Sequence, residues 1–151
     1  MQDCIFCKIA NREVESAIIC EDNEFIAILD ANPNTKGMTL VVTKDHYDSY
    51  VFDMADDVYQ KFTAVAKVVS KILEKGLDVK RVAMVMEGMG INHAHIKLYP
   101  LHGITEKFQE IWAKDRVYFE KYEGYFSTQL GPKADLIELK NLAENIKKSN
   151  L

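Results

Sequence analysis

Apolar and polar positions change period several times along the chain, and each change marks an element. Residues 17–20 and 25–29 are short apolar runs parted by the polar Glu21-Asp22-Asn23, which predicts two strands joined by a turn. Residues 30–37 are polar and contain Pro33 and Gly37, a loop, and residues 38–43 form a third strand. Connections this short predict an antiparallel meander. Over 53–76 the period becomes helical: Val58, Phe62, Val65, Ala66, Val69, Ile72 and Leu73 make one apolar stripe. Asp53 or a near neighbour caps that helix, Asp56 and Asp57 lie in its first turns, and Gly76 follows its end. Residues 81–86 return to a strand, and Glu87-Gly88-Met89-Gly90 turns the chain into His93-Ala-His95-Ile-Lys97-Leu-Tyr99. That last stretch alternates with period 2, so His93, His95, Lys97 and Tyr99 share one face and Ala94, Ile96 and Leu98 the other. Apolar spacing predicts two more helices, over 106–120 and 134–146. The expected fold is α+β: an antiparallel sheet of about five strands with a long helix on one face and extra C-terminal helices.

Composition narrows the class without changing that picture. The 151 residues are 48% hydrophobic and 28% charged, the balance of one globular domain with a real core. A net charge of −4 speaks against non-specific nucleic-acid binding, and no apolar run approaches the roughly 20 residues that span a bilayer. Met1-Gln2-Asp3-Cys4 lacks the basic-then-apolar pattern of a signal peptide, so a cytoplasmic setting is expected. Three cysteines fit free thiols or a metal better than disulfides.

Candidate chemistry sits at both ends of the sheet region. Cys4-Ile-Phe-Cys7 has the spacing at which two thiolates converge on one tetrahedral ion, most often zinc. One pair is half a site; a redox pair normally follows a strand, and none precedes it here; two buried small residues are the plainer reading. Cys20 alternates into an apolar strand and takes a core role. His46 ends the third strand and is a candidate for a missing ligand. Asp30, at a strand end, suits either an Asx turn or a carboxylate that accepts hydrogen bonds from a sugar diol. The glycines at 88 and 90 suit either a plain turn or a close backbone approach to a ligand. The lysines 61, 67, 71 and 75 lie mostly off the apolar stripe and make a solvated face. Tyr118, Tyr122, Tyr125 and Phe126 suit core packing around a tail, or an interface.

Taken together, Cys4-Ile-Phe-Cys7-Lys-Ile9, Ile28-Leu-Asp30-x-x-Pro33, Lys36-Gly37-x-Thr39-Leu-Val-Val-x-Lys44-x-His46 and His93-Ala-His95-Ile96 resemble the histidine-triad (HIT) superfamily of nucleotide-processing proteins. The match runs over about residues 4–100, in the zinc-containing bacterial-type branch but with a His-x-His-x-Lys variant motif. The resemblance implies a HIT domain over 1–104, with 105–151 a helical extension packed on it. It implies that His95 attacks the α-phosphate of a purine nucleotide conjugate, a phosphoramidate or dinucleoside polyphosphate, through a covalent nucleotidyl-histidine. A nucleotide-binding regulatory module with little turnover is the alternative. It also implies a closed structural zinc site of Cys4, Cys7, His46 and His93, a ribose contact at Asp30, and a base slot lined by Ile5, Phe6, Ile9 and Ile28. Lys97 replaces the third histidine and Met86 a common asparagine, so phosphate contacts fall to Lys97, Asn92 or backbone amides. A homodimer is expected.

Overall fold

A computed structural model of the chain describes residues 3–112, 118, 120–122 and 132–149. Five strands, β1 (Ile18–Glu21), β2 (Phe25–Leu29), β3 (Thr39–Thr43), β4 (Val82–Val85) and β5 (His95–Pro100), form one antiparallel sheet in the order β1-β2-β3-β5-β4. Among the described residues three α-helices accompany it: α1 (Ile5–Ala10), α2 (Asp56–Leu77) and α3 (Leu136–Lys148). The architecture is the expected α+β one, and the meander β1-β2-β3 stands as the short connections require.

The pleat divides the sheet into two faces. Phe25, Ala27, Leu29, Val41, Ile96 and Leu98 meet Phe62, Ala66, Val69 and Leu73 of α2 and Leu139, Ala143 and Ile146 of α3 in the main core. Each Val, Leu, Ile or Phe among them contributes about 1.5–3 kcal/mol by leaving water. The opposite face carries Ile26, Ile28, Leu40 and Val42, covered by Phe6 and Ile9 of α1. Both faces of β2, β3 and β5 are therefore buried, which is why β2 and β3 read as nearly continuous apolar runs, while β5 alternates because its α1-side face carries His95 and Lys97.

Several expectations need adjusting. Asp53 belongs to a separate 3-10 turn (Val51–Asp53), and α2 starts after an extended Ala55 that offers no side-chain cap. Gly76 lies inside α2; the left-handed residue that ends the helix is Asp78, φ 49°. Gly76 is instead where α3 comes closest: a Cβ there would stand 2.7 Å from the Ile146 Cα. The helix expected over 106–120 is not formed at 106–112, and 113–117 and 119 lie outside the described residues. Its aromatics have no face to cover: Phe108 and Trp112 are each 79% exposed, and a short helix without a buried stripe is marginal. Tyr118 is likewise exposed, while Tyr125 and Phe126 lie outside the described residues. The C-terminal helix does form, capped by Asp135, whose carboxylate accepts from the amides of Ile137 and Glu138. No described helix is long and apolar enough to cross a membrane.

Candidate functional site

The β3–β5 register pairs Val42 with His95 and Leu40 with Lys97, and β2–β3 pairs Ile26 with Val42 and Ile28 with Leu40. Directly paired residues share a face. His95 and Lys97 thus stand on the α1 side of the sheet, in line with Ile28 and, two residues on, with Asp30. The expected alternation holds, although the strand's hydrogen-bonded ladder starts at His95. Ahead of it, Ala94 is pinned by Ala94 N–H donating to the Tyr47 carbonyl at 2.8 Å and by its own carbonyl accepting from Thr43.

His95 is buried, and its Nδ1–H donates to the His93 carbonyl at 2.7 Å. A carbonyl only accepts, so the proton is on Nδ1 and Nε2 keeps its lone pair. Burial, chiefly, holds this imidazole below its ordinary pKa. The nearby Lys97 ammonium acts in the same direction, and the His93 carbonyl and the Glu87 and Asp30 carboxylates oppose it. A neutral ring with one free lone pair at pH 7 can attack an electrophile.

His93 is oriented the other way round. Its Nε2–H donates to the Thr43 carbonyl at 2.8 Å, so the lone pair on Nδ1 faces Cys4 Sγ at 3.3 Å and Cys7 Sγ at 3.5 Å. His46 Nδ1 lies 3.4 Å from Cys7 Sγ. Cys4 is the N-cap of α1 and Cys7 lies one turn on, so the two thiols share a side of that helix. The four ligand atoms lie within 4.8 Å of one another. Tetrahedral zinc, with bonds of about 2.3 Å to sulfur and about 2.0–2.1 Å to nitrogen, sets sulfur and nitrogen about 3.6 Å apart, close to the spacings seen. A ring whose other nitrogen donates to a backbone carbonyl is also how metal-bound histidine is usually fixed. The donor set fits a zinc ion.

The remaining predicted positions divide. Phe6, Ile9 and Ile28 are brought together in the α1 cluster, and the Phe6 ring lies against both His93 and His95, centroids 5.6 and 5.3 Å away. Ile5, 38% exposed, falls outside that cluster. Asp30 makes the Asx turn: its Oδ1 accepts from Asn32 N–H at 2.7 Å. Asn92 is committed to the chain itself. Its Oδ1 accepts from the Ser49 amide at 3.0 Å and lies 3.1 Å from the Ser49 hydroxyl oxygen, and its Nδ2 donates to Asp48. The close approach at Gly88 is also internal: Ser49 Oγ donates to the Gly88 carbonyl at 2.7 Å. Sequence reasoning missed three contributors. Thr43 fixes His93, Ser49 fixes Asn92, and Glu87 pairs with the Lys97 ammonium. No periodic signal marks Glu87, which stands in the loop between β4 and β5.

Comparison with known proteins follows the same lines. The HIT domain model matches residues 11–106. An uncharacterised HIT-like protein of Methanocaldococcus jannaschii is 36% identical over 115 residues, 72% of this chain and 88% of that one. The adenosine 5'-monophosphoramidase of Saccharomyces cerevisiae is 26% identical over 121 residues, 78% of this chain and 75% of that one. A hypothetical histidine triad nucleotide-binding protein of Sulfolobus tokodaii superposes with a TM-score of 0.72 at 24% identity, covering 97% of this chain and 91% of that one. With the family domain spanning residues 11–106 and an archaeal relative at 36% identity, the chain belongs to the HIT domain family.

Proposed function

We propose that this protein is a nucleotide hydrolase or nucleotidyltransferase that acts at the α-phosphate of a purine nucleotide conjugate, a phosphoramidate or dinucleoside polyphosphate. The carrying observation is the His95 imidazole, buried and fixed by the His93 carbonyl so that Nε2 holds the free lone pair. Nε2 forms a bond to phosphorus as the bond to the leaving nitrogen or oxygen breaks, and the leaving group departs with that electron pair and takes a proton from solvent. Water or another acceptor then attacks the nucleotidyl-histidine and regenerates the ring. Asp30, on the face of His95, would accept from the ribose hydroxyls with the carboxylate oxygen that the Asx turn leaves over. Phe6, Ile9 and Ile28 would line a flat apolar slot for the base, with Ile5 at its rim. Lys97 would hold phosphate; Asn92, bound to Ser49 and Asp48, would act on the loop rather than on the ligand.

Cys4, Cys7, His46 and His93 would hold a structural zinc. Four protein ligands close the coordination, so the ion would fasten α1 to the start of β5 rather than take part in the chemistry. The chain is read as a HIT domain over 1–104 with an extension over 105–151, which α3 packing on α2 supports. It is further read as a homodimer, supported by the edge of β4, which pairs with no further strand among the described residues and exposes Met84, and as cytoplasmic.

The second reading, a nucleotide-binding module with little turnover, is favoured by one observation: the Lys97 ammonium is already engaged by Glu87. Hydrolysis of an adenosine phosphoramidate and a diadenosine polyphosphate, wild type beside His95→Ala, separates the two. The enzymatic reading requires loss of at least about 10³-fold in kcat, the scale of removing a nucleophile. Equal background rates with retained AMP binding would leave the binding module.

A further inference from the structure

Lys97 is the charged group on the β5 face that carries His95, and its surroundings do more than neutralise it. Its side chain is 11% exposed and its ammonium is paired with Glu87, itself 6% exposed. The other oxygen of that carboxylate accepts from the Tyr122 hydroxyl at 2.7 Å. β4 pairs Val85 with Lys97 and ends there, so Glu87 reaches Lys97 from the loop two residues beyond the ladder. The Glu87 carboxylate acts electrostatically on the His95 ring as well. A carboxylate is therefore bound to the ammonium that would hold the phosphate, within electrostatic reach of the proposed nucleophile.

Two consequences follow from charge alone. The ammonium offers three N–H donors, and Glu87 takes one, so hydrogen bonds to a single phosphoryl group remain available. The ion pair, however, is neutral overall. A leaving group that bears further phosphates brings its negative charge against a half-shielded carboxylate in a poorly solvated place, where like charges repel more strongly than in water. We propose that Glu87 is the specificity-determining residue of this site: it disfavours nucleotides whose α-phosphate carries further phosphate and favours those whose substituent is neutral or an amine. Tyr122, by holding one carboxylate oxygen, is the positioning residue that keeps the other on Lys97. This rests on nucleotide binding beside His95, as read above.

The test is a ratio of affinities, measured by calorimetry on the His95→Ala protein so that turnover plays no part. AMP and ATP in magnesium-free buffer are the probes, the outer phosphates of ATP standing for a charged leaving group. With Glu87 present, AMP binds more tightly than ATP. Glu87→Gln shifts the AMP-to-ATP ratio toward ATP by about tenfold, the effect of about 1.4 kcal/mol. Glu87→Asp, which keeps the charge, holds the ratio. Tyr122→Phe, at a half-exposed residue, shifts it the same way by a smaller factor, about two- to threefold, and gives an answer even if the buried Gln variant does not fold. AMP binding with the ratio unmoved in Glu87→Gln or, failing that, in Tyr122→Phe overturns this proposal and leaves the nucleotide reading standing. Absence of AMP binding in every variant overturns both.

Discussion

Gly88 lies where the loop after β3, which carries His46, meets the loop that leads to His93. Its φ of +72° is a conformation that L side chains rarely adopt, and a Cβ there would stand 3.0 Å from the Ser49 carbonyl oxygen. Gly90 also has a positive φ, +91°, but nothing stands within 4 Å of the position a Cβ would take. The two glycines therefore separate backbone strain from crowding. Gly90→Ala is expected to cost about 1 kcal/mol from the left-handed conformation alone. Gly88→Ala adds displacement of Ser49 and of the hydrogen bonds to Asn92, for about 2–3 kcal/mol in all. Thermal melts check this: at about 2–4 °C per kcal/mol in a chain of this size, Gly88→Ala should melt several degrees below Gly90→Ala. Equal melting temperatures would refute the crowding argument. At this scale the sequence was informative wherever a local period carried the message. Alternation alone placed His95 and Lys97 on one face. It could not find Glu87, Ser49 or Thr43, whose roles depend on contacts 10, 43 and 50 residues apart in the chain. Nor could spacing choose between the two uses of Asp30, whose Oδ1 makes the turn while its charge still reaches His95.

Among the elements, α2 shows how a correct periodic stripe can coexist with a misread end. A glycine in a helix interior costs about 1 kcal/mol relative to alanine, so Gly76 looks like a residue just past the helix. It sits inside because α3 passes too close for a side chain: a Cβ would meet the Cα, Cγ2 and carbonyl oxygen of Ile146 at 2.7–2.8 Å. That crowding involves backbone, which a side-chain rotation cannot relieve. Gly76→Ala is thus expected to destabilise the protein by about 1–3 kcal/mol despite its better helix propensity, because overpacking outweighs it. Urea unfolding decides the sign; a stabilised variant would mean that α3 yields at no cost. The six-residue α1 was hidden for a related reason. It is too short to show a period and has no side-chain cap, so it is stable only through what it packs on and binds. The aromatics at 108–112 mislead in the opposite direction, since their spacing is helical but no partner surface gives the spacing a use.

The whole molecule is two layers of unequal strength around one sheet. On one face, α2 and α3 bury a large core; on the other, the short α1 contributes only Phe6 and Ile9 to the buried cluster. The proposed zinc compensates for that asymmetry, because Cys4 and Cys7 come from α1, His46 from the loop after β3 and His93 from just before β5. Freshly purified protein is accordingly expected to contain about one zinc per chain, and Cys4→Ser to lose it, since a tetrahedral structural site needs all four ligands. The consequence should be local. The α2–α3 core does not depend on the ion, so far-UV circular dichroism should stay near wild type, while α1 loosens and takes Phe6 away from His95. AMP affinity should therefore fall by an estimated tenfold or more in Cys4→Ser, as commonly follows when the support of a site is lost. His95→Ala provides the contrast: its ring is held by a backbone carbonyl and is no part of the donor set, so zinc content should remain at one per chain. Wild-type protein prepared without metal, or Cys4→Ser that binds AMP as tightly as wild type, would show that α1 is held by Phe6 and Ile9 alone.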